Sequence, residues 1–383
     1  MMKKLSVIIV SYNVRYYLEQ CIVSVQRAAK DIDYEIYVVD NHSQDDTVSY
    51  IAERFSNQIT LIESQHNVGF ARANNLAIRQ TQSEYVLLLN PDTFIAEDCL
   101  VRTLAFMDEH PTAGGVGAKM HNADGTLARE SRRGLPTPWV SLLKMLGFPN
   151  RYYMSHLSWD EPGQIEVMSG AFCMLRREAL DKVGLLDEDF FMYGEDIDLS
   201  YRLMKGGYEN WYVPASIVHY KGESTQKTSY RYVHVFYQAM LIFFRKHYSH
   251  LSFFVTIPIK MAIYFRAFIA LVQMQYYRMR KSLGLDAKDT TEPSFLFVGT
   301  PAMLDECRQL ARSKGLKASF CEPSQIEEAC APLQLFSRVI YDTDYFSYQQ
   351  IIDWSEKLSS KRLLIGTYSS NNKILITQTE VIR

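Results

Sequence analysis

The sequence predicts an α/β protein: a parallel sheet covered by helices, then a basic aromatic helical segment, then a small Rossmann-like α/β unit. Three observations predict it. Short Val/Ile/Leu runs alternate with helical spacing through the first 120 residues. The stretch from Ser224 to Leu285 holds nine Lys or Arg and fourteen Phe or Tyr without one Asp or Glu. A new strand–helix alternation begins at Ser294. Alternation of this kind builds βαβ units, and 383 residues leave room for two or three domains.

The elements follow in order. LSVIIV (5–10) is a first strand, and helical spacing at Leu18, Ile22 and Val25 marks the helix within 14–30. MMKKLSVIIVSYN has the basic start of a signal peptide, but its apolar run is only VIIV with no small-residue cleavage site, so the strand reading is preferred. YEIYVVD (34–40), ITLIES and YVLLLN are the next three strands, separated by the helices DDTVSYIAERF and ARANNLAIRQT. HNADGTLARE carries an Asp124-Gly125 hairpin signal. Residues 131–164, rich in Pro, Trp, Tyr and Met, predict a surface excursion. IEVMSGAFCMLR (165–176) returns to strand, RREALDKVG and EDIDLSYRLMKGG are helices, and YENWYVP and SIVHY are two closing strands. Residues 230–283 read as helical with a break near Pro258. The expected division is 1–225, 226–284 and 285–383, with LDAKDTTEPS as the linker.

Composition narrows the function classes. The net charge of −2 names no partner, and six cysteines without CxxC or zinc-like spacing are expected to be reduced thiols. In the acid-free segment, LSFFVTIPIKMAIYFRAFIALVQM approaches a bilayer span, but Lys260 and Arg266 fall inside it. Each would cost roughly 2.5–3.5 kcal/mol at a membrane centre. An interfacial or re-entrant helix pair on an anionic leaflet fits better. The alternatives are a pair packed on the first domain or a homodimer contact, while the apolar bulk argues against nucleic acid. In the last unit, FLFVGTPAML has one turn Gly rather than GxGxxG, so a docking or regulatory module is the preferred reading.

The chemistry concentrates at strand ends. VLLL is apolar enough to be buried on both faces, and Pro91 stops the strand for want of an N–H. Asp92 is thereby left beyond the carboxyl end of a central strand, where open α/β sheets bind ligands. Asp40 ends the second strand on the same edge, beside Ser11, Tyr12 and Asn13. HNVGFARANN (66–75) offers helix-start N–H groups and Arg72 to a phosphate. The grouping suits a nucleotide diphosphate, with Asp40 on a base N–H and Asp92 on a divalent metal, Mg²⁺ or Mn²⁺. Any one of these residues alone reads equally well as a turn or cap. Glu195, Asp196 and Asp198 open a helix after FFMYG; acids are stabilised there by the dipole, yet an aromatic lid would also desolvate one towards a useful base. His219 ends a strand, a place where most histidines are structural.

VSYN (10–13), VVDNHSQD (39–46), NVGFARANN (67–75), LLLNPD (87–92), SGAFCMLRRE (169–178), YGEDIDLSYR (193–202) and HYKGES (219–224) together resemble the family 2 glycosyltransferases. The branch most similar is the rhamnosyltransferase-like one of bacterial surface polysaccharide synthesis, and the resemblance covers residues 4–225. It implies a GT-A fold and a nucleotide-sugar site lined by Ser11, Tyr12, Asn13, Asp40, Asn67, Gly69, Arg72 and Asn90. It implies a metal at Asp92 with His219, the catalytic-base motif at Glu195-Asp196 with Asp196 favoured, and acceptor contacts at Gly170, Tyr193 and Asp198. The chain departs from the family's DxD by having Asn90 in place of the first acid, which leaves the ligand set open. QxxRW is absent, as in non-processive members. The implied activity is inverting transfer of a sugar from a dTDP- or UDP-sugar to a glycan or polyprenyl-linked acceptor, by a peripheral protein on the cytoplasmic face of the inner membrane. A sugar nucleotidyltransferase and a silent nucleotide-sugar-binding scaffold are the alternatives.

Overall fold

The computed structural model describes residues 3–220, 230–248, 253–282, 292–329 and 336–383. Residues 221–224 of HYKGES and most of the expected linker lie outside them. Strands β1 (Leu5–Ser11), β2 (Tyr34–Asp40), β3 (Thr60–Glu63) and β4 (Tyr85–Leu89) are parallel, in the order β3-β2-β1-β4. They alternate with helices α1 (Arg15–Ala28), α2 (Thr47–Phe55) and α3 (Phe70–Ile78). The continuous apolar runs arise because alternate residues serve opposite layers. Leu5, Val7 and Ile9 meet Leu18, Ile22 and Val25 of α1, while Ile8 and Val10 share a core with Ala71, Ala73 and Ala77 of α3.

After β4 the sheet becomes mixed. β5 (Thr93–Ile95), α4 (Cys99–Glu109), β6 (Ala113–His121), α5 (Pro138–Met145), β7 (Gly163–Ile165), β8 (Phe172–Arg176), α6 (Arg177–Val183), α7 (Glu195–Lys205) and β9 (Glu209–His219) follow. The order continues β4-β8-β6-β9-β5, with β7 on β9, and β8 runs antiparallel to both neighbours. Three local expectations are corrected here. The strand expected over 165–176 is bent at 169–171, so only β8 joins β4. The two expected closing strands are one, because Pro214 sits where the β6–β9 register shifts and needs no ladder bond. The excursion at 131–164 contains α5, capped by Thr137 with Pro138 in its first turn, and it buries Leu135 and Val140.

Helix α8 (Tyr230–Tyr248) packs Ala239 and Phe243 against Leu135, Val167 and Phe190, and α9 (Phe253–Ser282) lies against α8. Pro258 falls inside α9 rather than breaking it, at the cost of one internal hydrogen bond. Among the described residues no helix is long and apolar enough to cross a membrane.

The second sheet has the order β11-β10-β12-β13-β14-β15, with β10 (Ser294–Val298), β11 (Lys317–Cys321), β12 (Arg338–Asp342), β13 (Leu364–Ser369), β14 (Ile374–Thr377) and β15 (Val381–Ile382). The first four are parallel and the last two antiparallel. Its helices are α10 (Pro301–Lys314), α11 (Ile326–Ala329) and α12 (Tyr348–Lys357). This unit is docked on the first. Tyr348, Ile351 and Ile352 join the core of α1 and β5, and Glu97 accepts the N–H groups of Tyr348 and Gln349 at 2.8 Å each. Buried His121 lies 2.8 Å from Glu356, which Lys119 also reaches at 3.2 Å. The Gln378 amide donates to the Tyr220 carbonyl at 2.8 Å, directly after His219.

The hydrogen bond from His121 holds the Glu356 carboxyl down at about 2. A carboxyl depressed in the folded state stabilises above its ordinary pKa and loses that contribution as pH falls towards the folded value. Glu356→Gln is therefore expected to lower the melting temperature at neutral pH by a few degrees. About 1 kcal/mol is assigned, because Glu356 is 38 % exposed and solvent screens the pair. The gap from the parent should close between pH 5 and 2, on the order set by these pKa values. A gap that stays constant on acidification, followed by circular dichroism, would remove this ion pair from the joint.

Candidate active site

The register of the parallel strands aligns their carboxyl ends. Ser11 pairs with Asp40, and Ile9 with Leu89, so Asn90 follows on the same edge. Asp40 is buried; its Oδ2 accepts the Ser43 N–H at 2.9 Å, while Oδ1 has no partner. The neighbouring Ser11 Oγ is likewise buried and unpaired. Asn13, at φ 55°, accepts the Gln44 N–H at 2.7 Å and thereby ties the two strand-end loops together. Tyr12 is half-buried beside it.

The loop before α3 is shaped by Asn41, which accepts the Val68 N–H at 2.9 Å and donates to Asn67 at 3.1 Å. Gly69 has φ +85°, and a Cβ there would lie 2.4 Å from the Phe191 carbonyl. Only glycine lets that carbonyl accept the Phe70 N–H, at 2.7 Å. Arg72 is exposed on the rim, 3.2 Å from Glu188.

Beyond β4, Asp92 is buried, with its Oδ1 3.2 Å from His219 Nε2. The Asn90 amide is 3.3 Å from the same ring nitrogen. Thr93 and His219 are register partners, and the Tyr220 N–H donates to the Asp92 carbonyl at 3.0 Å. The hairpin of β5 on β9 therefore brings Asn90, Asp92 and His219 into one group. Among the described residues no group of three or more His, Cys, Asp or Glu could hold a metal.

The 169–171 bend connects this group to the acids of α7. The Ala171 carbonyl accepts the Asn90 N–H at 3.1 Å, and the Gly170 N–H donates to Asp196 Oδ2 at 3.3 Å. Phe70 and Asp196 both pack where a Gly170 Cβ would project, at 3.7 and 3.8 Å. Arg133 donates to Asp196 Oδ2 and to the Met168 carbonyl. Burial works against the Arg133 charge, but Asp196 and then Tyr152 together more than offset it, and the guanidinium is held above its ordinary range. Glu195 is buried with Oε2 unpaired. Burial pushes its carboxyl well above the usual carboxylate range, and the Asp196 charge adds to the push.

The structure does not bring Asp198 into this group. Residues i and i+2 of a helix point apart, and Asp198 is buried between α7 and α8, 2.7 Å from Arg202 and 2.6 Å from His247. Tyr193, at φ 68°, packs edge-on against Phe236 of α8. Sequence reasoning missed Arg133, which lies in an irregular stretch with no periodic signal. It also passed over Asn41, although VVDN contains it.

Residues 6–184 match the family model described as glycosyl transferase family 2. This part of the chain belongs to that family. The protein is a glycosyltransferase, and its mixed sheet is of the GT-A class that the family resemblance implied. An N-acetylglucosaminyl-diphospho-decaprenol L-rhamnosyltransferase of Mycobacterium tuberculosis is 27% identical over 263 residues, 64% of this chain and 85% of that one. The low-salt glycan biosynthesis hexosyltransferase Agl10 of Haloferax volcanii is 27% identical, over 53% of this chain and 62% of its own length. Among solved structures, the mannosyltransferase PcManGT of Pyrobaculum calidifontis, in complex with GDP-Man and Mn²⁺, overlaps 82% of this glycosyltransferase and 81% of its own chain, at 20% identity and a TM-score of 0.47.

Proposed function

We propose that the chain transfers a hexose, with rhamnose the first to test, from a dTDP- or UDP-sugar to a hydroxyl of a lipid-linked or glycan acceptor, with inversion. The observation that carries the reading is the single edge holding Asp40, with its unpaired buried oxygen, and the Asn90–Asp92–His219 group. A nucleobase N–H would satisfy Asp40 Oδ1, whereas the Gly69 and Phe70 N–H groups expected for a phosphate are taken by Asn67 and by the Phe191 carbonyl. Asp92 and His219 fit a divalent ion whose remaining oxygen ligands come from the donor diphosphate. When bound, Mg²⁺ or Mn²⁺ would neutralise the leaving diphosphate as a Lewis acid.

Asp196 then takes the acceptor proton as the hydroxyl oxygen attacks the anomeric carbon opposite the leaving group. One base and one displacement invert the anomer, with no second carboxylate nucleophile of the kind a retaining glycosidase uses. The rhamnosyltransferase relative acts, by its name, on N-acetylglucosaminyl-diphospho-decaprenol, and this supports a lipid-linked acceptor. The exposed face of α9, with Met261, Phe265, Phe268 and Tyr276, supports peripheral attachment to an anionic cytoplasmic leaflet. The reading is tested by incubating purified protein with a panel of sugar nucleotides and following release of nucleoside diphosphate. Metal-dependent release from one dTDP- or UDP-sugar is expected. Binding of nucleotide without release or transfer would favour the silent scaffold.

A further inference from the structure

We propose that α5 is a second membrane-contacting element, inserting its outer face into the interface of an anionic bilayer beside the acceptor side of the cleft. This rests on the membrane reading above and extends it to a different part of the chain. The helix is apolar on two faces. Val140 is buried inward, whereas Trp139, Leu142, Leu146 and Phe148 are 60, 42, 63 and 66 % exposed. Four large exposed apolar residues within ten positions, on α5 and the residues that follow it, mark an interaction surface.

The charge pattern selects the occupant. From Ser131 to Trp159 there is no Asp or Glu, but there are four cations, Arg132, Arg133, Lys144 and Arg151, and five aromatic residues. Of these cations Lys144 and Arg151 are exposed, while Arg132 is buried and Arg133 is held by Asp196; two exposed cations among exposed aromatic and aliphatic side chains match anionic headgroups over acyl chains. The position agrees. Leu135, three residues before α5, packs with Ala239 and Phe243 of α8, which in turn supports α9. On its other side the same segment is tied to the cleft, because Arg133 holds Asp196. A bilayer that takes up α5 would therefore present a lipid-linked hydroxyl next to the acid that must receive its proton.

The test uses the full chain with Cys330 replaced by Ser and an environment-sensitive fluorophore on a single introduced thiol; the described cysteines are free and buried. Labels are placed at Leu142→Cys in α5, Phe268→Cys in α9 and Val101→Cys in α4, which is exposed elsewhere. With vesicles containing phosphatidylglycerol, emission at 142 and 268 should rise severalfold and shift to the blue, with no change at 101. Trp139→Ser combined with Leu146→Ser and Phe148→Ser should reduce the vesicle-bound fraction severalfold at an unchanged melting temperature. A response at 268 but not at 142 overturns the role of α5 and leaves the membrane reading standing. Silence at both positions removes the membrane reading and this proposal together. A response at 142 that needs no lipid and grows with protein concentration makes the face a contact between copies, and overturns the proposal.

Discussion

Asp196→Asn is expected to lower sugar transfer by about 10²–10⁴-fold, the usual cost of losing a general base, while affinity for the donor nucleotide changes little. The carboxylate oxygen shared by Arg133 and the Gly170 N–H faces the 169–171 bend, whose Ala171 carbonyl accepts the Asn90 N–H. An Asn at this position keeps an acceptor for Gly170, so the bend should stay in place. It removes the charge partner of a buried arginine, however, and some stability should go with it. The measurement is therefore a single-turnover rate on protein shown to be folded, with calorimetry of nucleotide binding beside it.

Glu195→Gln is the control. Burial already favours the neutral form of Glu195, and an amide imitates that form. A carboxyl raised in the folded state binds more protons folded than unfolded, so it draws stability down as pH rises from the ordinary carboxylate range towards its folded pKa. The Gln variant should retain transfer and should melt no lower than the parent, with the comparison most favourable at alkaline pH. If Glu195→Gln is crippled and Asp196→Asn transfers normally, the base is Glu195. Lost nucleotide affinity in Asp196→Asn would place that residue on the donor side.

The parallel half of the fold was legible because its strands are buried on both faces: continuous runs such as VLLL and VIIV have few other readings, and each ends at a polar residue. The edge shared by Ser11, Asp40 and Asn90 follows from parallel register, so the sequence alone groups the strand-end residues. Legibility fails where partners are distant and aperiodic. Arg133 reaches Asp196 across 63 positions from an irregular segment, and no local pattern marks an arginine that will be buried. Asp198 shows the opposite failure. Its helix-start position made it resemble Asp196, but helical geometry turns it towards His247, a partner in another helix. The docking of the last unit on β9 depends on single long-range contacts such as Gln378 with Tyr220, which composition cannot reveal.

Asp92→Asn should reduce turnover by at least about 10²-fold, comparable with removing one fixed electrostatic group from a preorganised site, without unfolding the chain. Asp92 is 2 % exposed, at the turn between β4 and β5, and its carboxylate lies 3.2 Å from His219. The hydrogen bond that holds the turn uses the Asp92 carbonyl, which the substitution leaves alone. An amide of the same shape keeps an acceptor oxygen beside His219, so the loss of stability should be small beside the loss of turnover. The deficit should appear in kcat as Mg²⁺ or Mn²⁺ is titrated, and in metal-dependent affinity for the nucleoside diphosphate. His219→Ala leaves the carboxylate in place and should act more mildly, chiefly by raising the metal concentration needed for half-maximal rate. Equal kcat for Asp92→Asn and parent across the whole titration would return Asp92 to the role of a turn residue. An unaltered metal requirement in His219→Ala would likewise leave His219 as the partner that orients Asn90.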